Sequence, residues 1–229
     1  MGIAERKERE FKRREGEILA AAVRLLERED WQLVTIERIA QEAEIGKGTV
    51  YLHFPSKEAI YGRLAHEFAG GVLAELRGID AAQAPVERLR DAIRIFFAAH
   101  LHGRTHHRVA EYCSQDDIRR RLDETTRSEL ERVEAEIIGI IHGILADGIG
   151  EGVFADRPLD VLMISAHATL AGAVRLLGGP CAAQAGEGAT EAQLVAEITR
   201  FILAGLMYFD RVPFAGEAAG RVVTNLEER

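Results

Sequence analysis

The sequence predicts an all-α protein, with an N-terminal three-helix unit that contains a helix-turn-helix and a larger helical C-terminal unit. Apolar residues recur at spacings of three and four along most of the 229 residues, and no strand pattern exceeds chance. The composition agrees, because 47% of the residues are hydrophobic, only 6% are aromatic and only five are proline. A chain of this length can hold one or two domains, and we expect two, at residues 1–68 and 69–229.

The first predicted helix covers about residues 15–29. Its apolar residues recur on one face: Ile18, Ala22, Leu25 and Leu26. Trp31 and Leu33 follow it and would close a small core. Residues 1–14 before it hold six basic residues against three acidic ones. This positive arm either extends the helix or lies along DNA, since such arms can reach the minor groove, and its first few residues could simply be frayed and solvated.

Residues 35–57 predict two short helices around a tight turn and the start of a third. Thr35 is a suitable N-cap for the first of them, whose apolar positions share one face: Ile36, Ile39, Ala40 and Ala43. A turn follows at residues 44–46, and the second helix covers about residues 47–54. Pro55 cannot continue that helix, and Ser56 is a natural cap for the next one. Such a helix-turn-helix fits the major groove of DNA.

Seven residues of this motif are candidate DNA contacts: Thr35, Lys47, Gly48, Thr49, Tyr51, His53 and Lys57. Thr35 and Lys57 begin the helices that flank the second helix, where NH groups and side chains meet phosphates. Lys57 also opposes its own helix dipole, so we expect an external anion beside it. Lys47 and His53 are candidates for base-edge contacts, and Gly48 would let the backbone come close.

The run from Ile36 to Lys57, above all the string GTVYLHFPSK, resembles the DNA-binding signature of TetR-type transcriptional regulators. The likeness in motif covers about residues 17–68, and it implies that Thr49 and Tyr51 approach the DNA backbone. Two residues depart from the family pattern. Glu44 stands where the family usually has Gly, and a left-handed Glu would cost about 1 kcal/mol. Gly46 replaces the usual Ser cap and is only slightly weaker.

Further helical patterns follow the motif. They cover residues 57 to either Gly70-Gly71 or Gly78, then 86–102, about 117–146, about 159–177 and about 190–208. A short segment at residues 104–114 and the loop GIGEGVFADRP lie between them. Thr190 can cap the last helix. We expect a mobile loop at residues 181–189 and a loose tail after Asp210.

The two helices at about 159–177 and 190–208 carry apolar residues on more than one face. The resemblance implies that they pair with the same helices of a second subunit, as a homodimer that binds a double-stranded, palindromic operator. The alternative is that both are internal core helices. A dimer suits the motif, because two-fold DNA sites are read by two-fold proteins whose recognition helices lie about 34 to 36 Å apart.

The resemblance also implies a small, hydrophobic effector bound in the C-terminal domain, which would release the protein from DNA. Six residues are candidates for this pocket: Phe96, Phe97, His100, Ile137, Ile141 and His167. Phe96 and Phe97 could equally be plain core residues. Repression is the family's usual mode of action.

Histidines suggest a second interpretation, in which the effector is a metal. Four of them lie close in sequence, at His100, His102, His106 and His107. His102 and His106 could share a helical face, but no metal-binding string is present, and a solvated or hydrogen-bonded set is the interpretation we prefer. We therefore assign no metal and no cofactor. A helical module that binds only proteins is a further alternative, which the basic and polar motif residues disfavour.

Charge and signature motifs exclude several other classes. The net charge is −8, but residues 1–67 carry only −1 of it, so the acidity lies mostly in the second part. Two cysteines and no signal-peptide pattern predict a cytoplasmic protein. His167 and Arg175 interrupt the longest apolar stretch, so we expect no membrane span. No phosphate loop, nucleophile elbow or Cys-His signature is present, and we do not expect an enzyme.

Overall fold

The computed structural model describes residues 2–29, 31–178 and 190–208, and within these ranges the chain is helical without strands. The predicted fold class, all-α, is confirmed. The helices are α1 (Ile3–Arg28), α2 (Ile36–Glu42), α3 (Lys47–His53), α4 (Lys57–Arg77), α5 (Pro85–His102), α6 (Arg104–Cys113), α7 (Asp116–Arg119), α8 (Glu124–Gly150), α9 (Leu159–Leu177) and α10 (Glu191–Tyr208). The loop predicted at residues 181–189 and the tail after Asp210 lie outside the described residues.

Helices α1 to α4 share one apolar core, to which α6, α7 and the first half of α8 also contribute, for example with Cys113, Ile118 and Leu130. Its centre is formed by one fully buried side chain from each of α1 to α4: Ile18, Ile39, Val50 and Ile60. A 3-10 turn at Trp31–Leu33 joins α1 to α2. The prediction that Leu33 closes this core is wrong, because Leu33 is 60% exposed and Val34 is fully buried in its place. The tight turn directs Leu33 outward and the next residue inward.

Helix α1 begins twelve residues earlier than predicted, at Ile3 rather than residue 15. The basic arm therefore continues the helix. Ion pairs at helical spacing stabilise it, such as Lys12 with Glu8 and Arg14 with Glu17. Apolar periodicity did not detect this part, because it carries few apolar residues and its helical character rests on charge pairs.

Helix α4 connects the two halves of the molecule. Ile60 and Leu64 lie in the core with α1 to α3, whereas Leu76 lies in a second core with α5, α8, α9 and α10. The helix ends at Arg77 with Gly78 as its C-cap, so the later of the two predicted ends is the right one. It runs unbroken through the predicted boundary at residues 68 and 69, and the division into two domains stays a prediction.

The long helix predicted for residues 117–146 is two helices. Helix α7 ends at Arg119, and α8 begins at Glu124. The cause is Asp123, whose carboxylate accepts from the Thr126 NH at 3.0 Å and from the Thr126 hydroxyl at 2.7 Å, and so caps a new helix. Leu122 at the break is buried. Helix α8 then continues to Gly150, into the segment predicted as a loop.

The last helices are close to those predicted. Helix α9 contacts α5, α8 and α10, and α10 also contacts α5. The Thr190 hydroxyl accepts from the Gln193 NH at 3.2 Å, as expected of the cap of α10. By length and mean hydropathy alone, α9 is the one helix in the described part of the chain that could cross a membrane.

Candidate nucleic-acid interface

The turn between α2 and α3 adopts the conformation that the family pattern requires. Glu44 has a φ of 55°, and it is the one residue other than glycine with a positive φ among the described residues. The turn closes through the Ile45 NH, which donates to the Ala40 carbonyl at 2.9 Å. Gly46 caps α3 with extended dihedrals and no side-chain hydrogen bond. Both departures from the family pattern thus lie where the turn sets the direction of α3.

Helix α3 has one buried face and one exposed face. Val50 is fully buried, and Phe54 just after the helix is 5% exposed. Gly48 and Leu52, one turn apart, lie on the opposite face together with Tyr51. Tyr51 is 46% exposed and Leu52 is 77% exposed. Leu52 was not among the predicted contacts. Its spacing of four residues from Gly48 could have indicated it, because residues four apart share one face of a helix. An apolar side chain here can contact a thymine methyl group.

Lys47 at the start of α3 is held by neighbouring side chains. Its ammonium forms an ion pair with Glu37 of α2 and lies 5.7 Å from the centre of the Tyr51 ring. The hydrogen bond between the two charged groups raises the pKa of Lys47 and lowers the pKa of Glu37. A candidate base contact is therefore engaged with an exposed carboxylate in the free protein.

Thr35 and Lys57 both have internal partners. The Thr35 hydroxyl accepts from the Arg38 NH at 3.3 Å, as an N-cap does. The Lys57 ammonium donates to the Trp31 carbonyl oxygen at 3.4 Å and lies over the rings of Trp31 and Tyr61. The carbonyl oxygen and the two ring faces thus offset the positive charge beside the N-terminus of α4. The predicted phosphate contacts of Thr35 and Lys57 remain predictions.

His53, the last residue of α3, contacts α1. Its ring centre lies 4.0 Å from that of Phe11, with 32° between the ring planes. Its Nδ1 atom is buried and has no hydrogen-bond partner among the described residues. Any contact of His53 with DNA would therefore use Nε2. Phe11 was not among the predicted site residues, because it lies in the basic segment where no helical face could be assigned from apolar spacing.

Four of the six candidate pocket residues belong to the second core: Phe96, Phe97, Ile137 and Ile141. His100 is half-buried beside them, whereas His167 is exposed. Phe97 is 2% exposed and lies edge-on to Phe96, and Ile137 and Ile141 pack against the same core. The His100 ring stacks on Phe96 with ring centres 3.9 Å apart. The His167 ring lies 6.1 Å from Phe96. Burial lowers the pKa of His100 to about 4, so this imidazole is neutral at pH 7.

The histidines are not arranged as a metal site. No group of three potential ligands that could hold a metal ion occurs among the described residues. The expectation that His102 and His106 share a helical face is wrong, since α5 ends at His102 and α6 begins at Arg104. His107 instead lies against His100, with ring centres 4.7 Å apart. The metal-responsive alternative is not supported.

An aromatic contact joins the helix-turn-helix unit to the rest of the chain. The Trp31 ring lies 4.2 Å from that of Tyr112 on α6, which is edge-on to Tyr61 of α4. A narrow cleft between α1, α4 and α6 is lined partly by these three rings. A displacement of α6 would therefore change the contact of Tyr112 with Trp31, which lies in the segment before α2.

Residues 18–64 match the family model for bacterial regulatory proteins of the tetR family. The HTH-type transcriptional repressor KstR2 of Mycobacterium tuberculosis is 30% identical over 175 residues, which are 75% of this chain and 86% of that protein. The solved structure of the ketosteroid transcriptional regulator KstR2 of the same organism matches with a TM-score of 0.65. It is 27% identical over 85% of this chain and 95% of that one.

The same fold occurs in the transcriptional regulator FadR of Bacillus subtilis, which was solved in complex with stearoyl-CoA. That chain matches with a TM-score of 0.64 and 21% identity, over 83% of this chain and 96% of its own length. At this identity the likeness concerns the fold.

Proposed function

The chain belongs to the TetR family of bacterial regulatory proteins and is a DNA-binding transcriptional regulator, and we propose that it is a cytoplasmic repressor that binds a palindromic operator as a homodimer. A small hydrophobic effector in the C-terminal half would release it. The observation that carries this proposal is the exposed face of α3, with Gly48, Tyr51 and Leu52 directed away from the core. A recognition helix needs such a face to enter the major groove.

Apolar side chains exposed on α9 and α10 support the homodimer. Ile164 of α9 is 69% exposed and Phe201 of α10 is 71% exposed. The same two helices also expose small residues, among them Ala168, Gly172, Ala204 and Gly205. Four helices, two from each subunit, can pack closely along such a surface and remove it from water.

One feature of the second core and two comparisons support a hydrophobic effector. The set around Phe96 is apolar except for imidazoles, and burial keeps His100 uncharged. A relative at 30% identity is a transcriptional repressor whose solved structure is described as a ketosteroid regulator. The shared fold also holds stearoyl-CoA in another regulator. A rigid hydrocarbon ring system and a long acyl chain are therefore the two effector classes to compare.

The proposed function can be tested on the DNA upstream of the chain's own gene. Purified protein should shift one palindromic fragment and leave a scrambled fragment of equal length unbound. A steroid ketone and a long-chain acyl-CoA should then be titrated into the complex, with Phe96→Ala as the pocket variant. Release by one class, weakened in Phe96→Ala while DNA binding is unchanged, supports the pocket. Release that is equal in wild type and variant would place the effector elsewhere.

A further inference from the structure

The N-terminal extension, defined as residues 3–14 of α1, is the part of the helix-turn-helix unit with a clear positive charge. It holds six basic and three acidic residues, a net charge of +3. Residues 15–67 hold six basic and ten acidic residues, a net charge of −4. Affinity for DNA depends strongly on cations that neutralise phosphates. The negative net charge of residues 15–67 is thus unfavourable for binding the phosphates of DNA.

Most cations of residues 15–67 are also already paired. Five of the six basic residues contact carboxylates, in the pairs Arg24–Glu42, Arg28–Glu42, Arg38–Glu29, Lys47–Glu37, Arg63–Glu15 and Arg63–Glu67. The sixth, Lys57, donates to the Trp31 carbonyl. Each pair must open, or share its cation, before a phosphate is neutralised. Cations without a carboxylate partner would bind phosphates at lower cost.

The extension supplies two such cations. Arg6 and Lys7 are exposed. Neither lies within ion-pair distance of a carboxylate among the described residues, although Arg6 adds, after Arg13 and Arg14, to the attraction that lowers the pKa of Glu10. Other basic residues of the extension are paired within the helix, as Lys12 is with Glu8 and Arg13 is with Glu10. Two positive groups without a close carboxylate partner therefore lie near the N-terminal end of α1.

Phe11 fixes the extension against the recognition helix. Its ring contacts His53, the last residue of α3, with ring centres 4.0 Å apart. Lys7 lies one turn before Phe11 on the same face of α1. Arg6 and Lys7 are therefore about 6 to 8 Å further along the helix axis from this contact. The contact places the free cations beside the helix that reads the groove.

We propose that the N-terminal extension is a second DNA-binding element, in which Phe11 docks on His53 so that Arg6 and Lys7 bind backbone phosphates of the operator. Phe11 is a positioning residue, and Arg6 and Lys7 make the contacts. This inference rests on the proposed function, because it requires that α3 lies in the groove of the same duplex. It adds sequence-independent affinity and no base recognition.

The salt dependence of binding tests the phosphate contacts. The dissociation constant of the full chain for its operator duplex should be measured at several salt concentrations, for wild type and for the double variant Arg6→Gln/Lys7→Gln. Each phosphate that the protein no longer neutralises lowers the slope of log K against log salt by about 0.9. Two such phosphates for each subunit of a dimer should reduce the slope by up to ~3.6. A scrambled duplex should show a similar reduction in slope.

The double variant Arg90→Gln/Arg94→Gln on α5 is the matched control, since it removes the same charge at exposed positions outside the helix-turn-helix unit. It should keep the wild-type slope. Equal slopes in wild type and Arg6→Gln/Lys7→Gln would overturn the inference while operator binding by wild type still upholds the proposed function. Absence of operator binding by wild type would remove both.

The docking role of Phe11 has its own test. Phe11→Ala leaves both cations in place, so a purely electrostatic role of the extension predicts an unchanged slope. Docking predicts that the slope is smaller in Phe11→Ala and that Phe11→Tyr, which keeps the ring contact, restores it. A wild-type slope in Phe11→Ala would overturn the positioning role. Circular dichroism melting should be the same for all variants except those at Phe11, because Arg6 and Lys7 are exposed.

Discussion

Lys47, the first residue of the recognition helix α3, forms an ion pair with Glu37 of the preceding helix α2. Both side chains are about half exposed. A surface pair of this kind contributes little to stability, commonly about 0 to 1 kcal/mol. Its consequence concerns binding, because a lysine that is hydrogen-bonded to a carboxylate is not free to donate to guanine or to a phosphate. The pair therefore competes with DNA for the same ammonium group.

Removal of the competing carboxylate should strengthen DNA binding. In Glu37→Gln the Lys47 ammonium loses its charged partner, and repulsion between Glu37 and the phosphates also disappears. We expect tighter binding to operator and scrambled duplexes, with little change in thermal stability. The control is Glu87→Gln on α5, which removes an equal charge from an exposed ion pair far from α3. Weaker binding by Glu37→Gln would mean that the carboxylate orients Lys47 for DNA rather than withholding it.

Lys47→Ala and Lys57→Ala should have different effects. Lys47 lies on the helix that enters the groove, so its loss should change which base pairs are preferred in a selection from random duplexes. Lys57 lies at the start of α4, so its loss should weaken all duplexes alike. Identical selected sequences for wild type and Lys47→Ala would exclude a base contact by Lys47.

Glu44→Gly should stabilise the protein. Glu44 has a φ of 55°, a region in which a residue with a Cβ atom is strained and glycine is not. The gain should be about 1 kcal/mol in the free energy of unfolding, measured by urea denaturation. Ala43 is the matched control, because it has a φ of −85° and Ala43→Gly should lower stability. A loss of stability in Glu44→Gly would show that the Glu44 side chain makes a contribution that exceeds the strain.

Acid should destabilise the protein through His100. Burial lowers the pKa of His100 to about 4, below the ordinary value of about 6.5 expected in the unfolded chain. Between these values the unfolded state binds a proton that the folded state does not, so stability falls as the pH drops from 6.5 towards 4. One such group can change the free energy of unfolding by at most about 1.4 kcal/mol per pH unit. Burial also lowers the pKa of nearby His107, which adds to the loss.

The difference between the free energies of unfolding at pH 7 and pH 5 measures this effect. This difference should be smaller in His100→Gln, because the titrating group is absent. The comparison holds even if the variant is less stable than wild type at both pH values. His102→Gln changes a side chain that is 77% exposed and serves as the control. If His100→Gln and His102→Gln both keep the wild-type difference between pH 7 and pH 5, the acid sensitivity arises from another group.

A charge on the exposed face of α10 should prevent dimerisation. Phe201→Glu introduces a carboxylate at a side chain that is 71% exposed in the single chain and buried in the proposed dimer. We expect a monomer by sedimentation and a loss of operator affinity of about 100-fold or more, since two half-sites are no longer bound by one linked pair. Ile138→Glu on α8 is the control, at a side chain that is 44% exposed outside this face. A dimeric Phe201→Glu would exclude the α9 and α10 interface.

Sequence patterns predicted most helices but few contacts. The apolar stripe of α1 and the caps at Thr35, Ser56 and Thr190 are local signals, and the structure contains each of them. The break at Asp123 was missed because the apolar spacing continues across it. The contact between Phe11 and His53 was missed for a different reason. It joins residues 42 positions apart in sequence, and only the folded arrangement of α1 against α3 brings them together.

The most direct test of DNA recognition by α3 is operator selection by the wild-type protein, followed by binding of Tyr51→Ala and Tyr51→Phe. Random duplexes should yield one palindromic sequence, bound by two chains. Tyr51 is 46% exposed on the side of α3 that faces away from the core, so Tyr51→Ala should bind every duplex more weakly without unfolding. If the Tyr51 hydroxyl bonds to a phosphate, the affinity of Tyr51→Phe for DNA should lie between those of wild type and Tyr51→Ala. No enriched sequence, or equal affinity in wild type and Tyr51→Ala, would contradict recognition of DNA by α3.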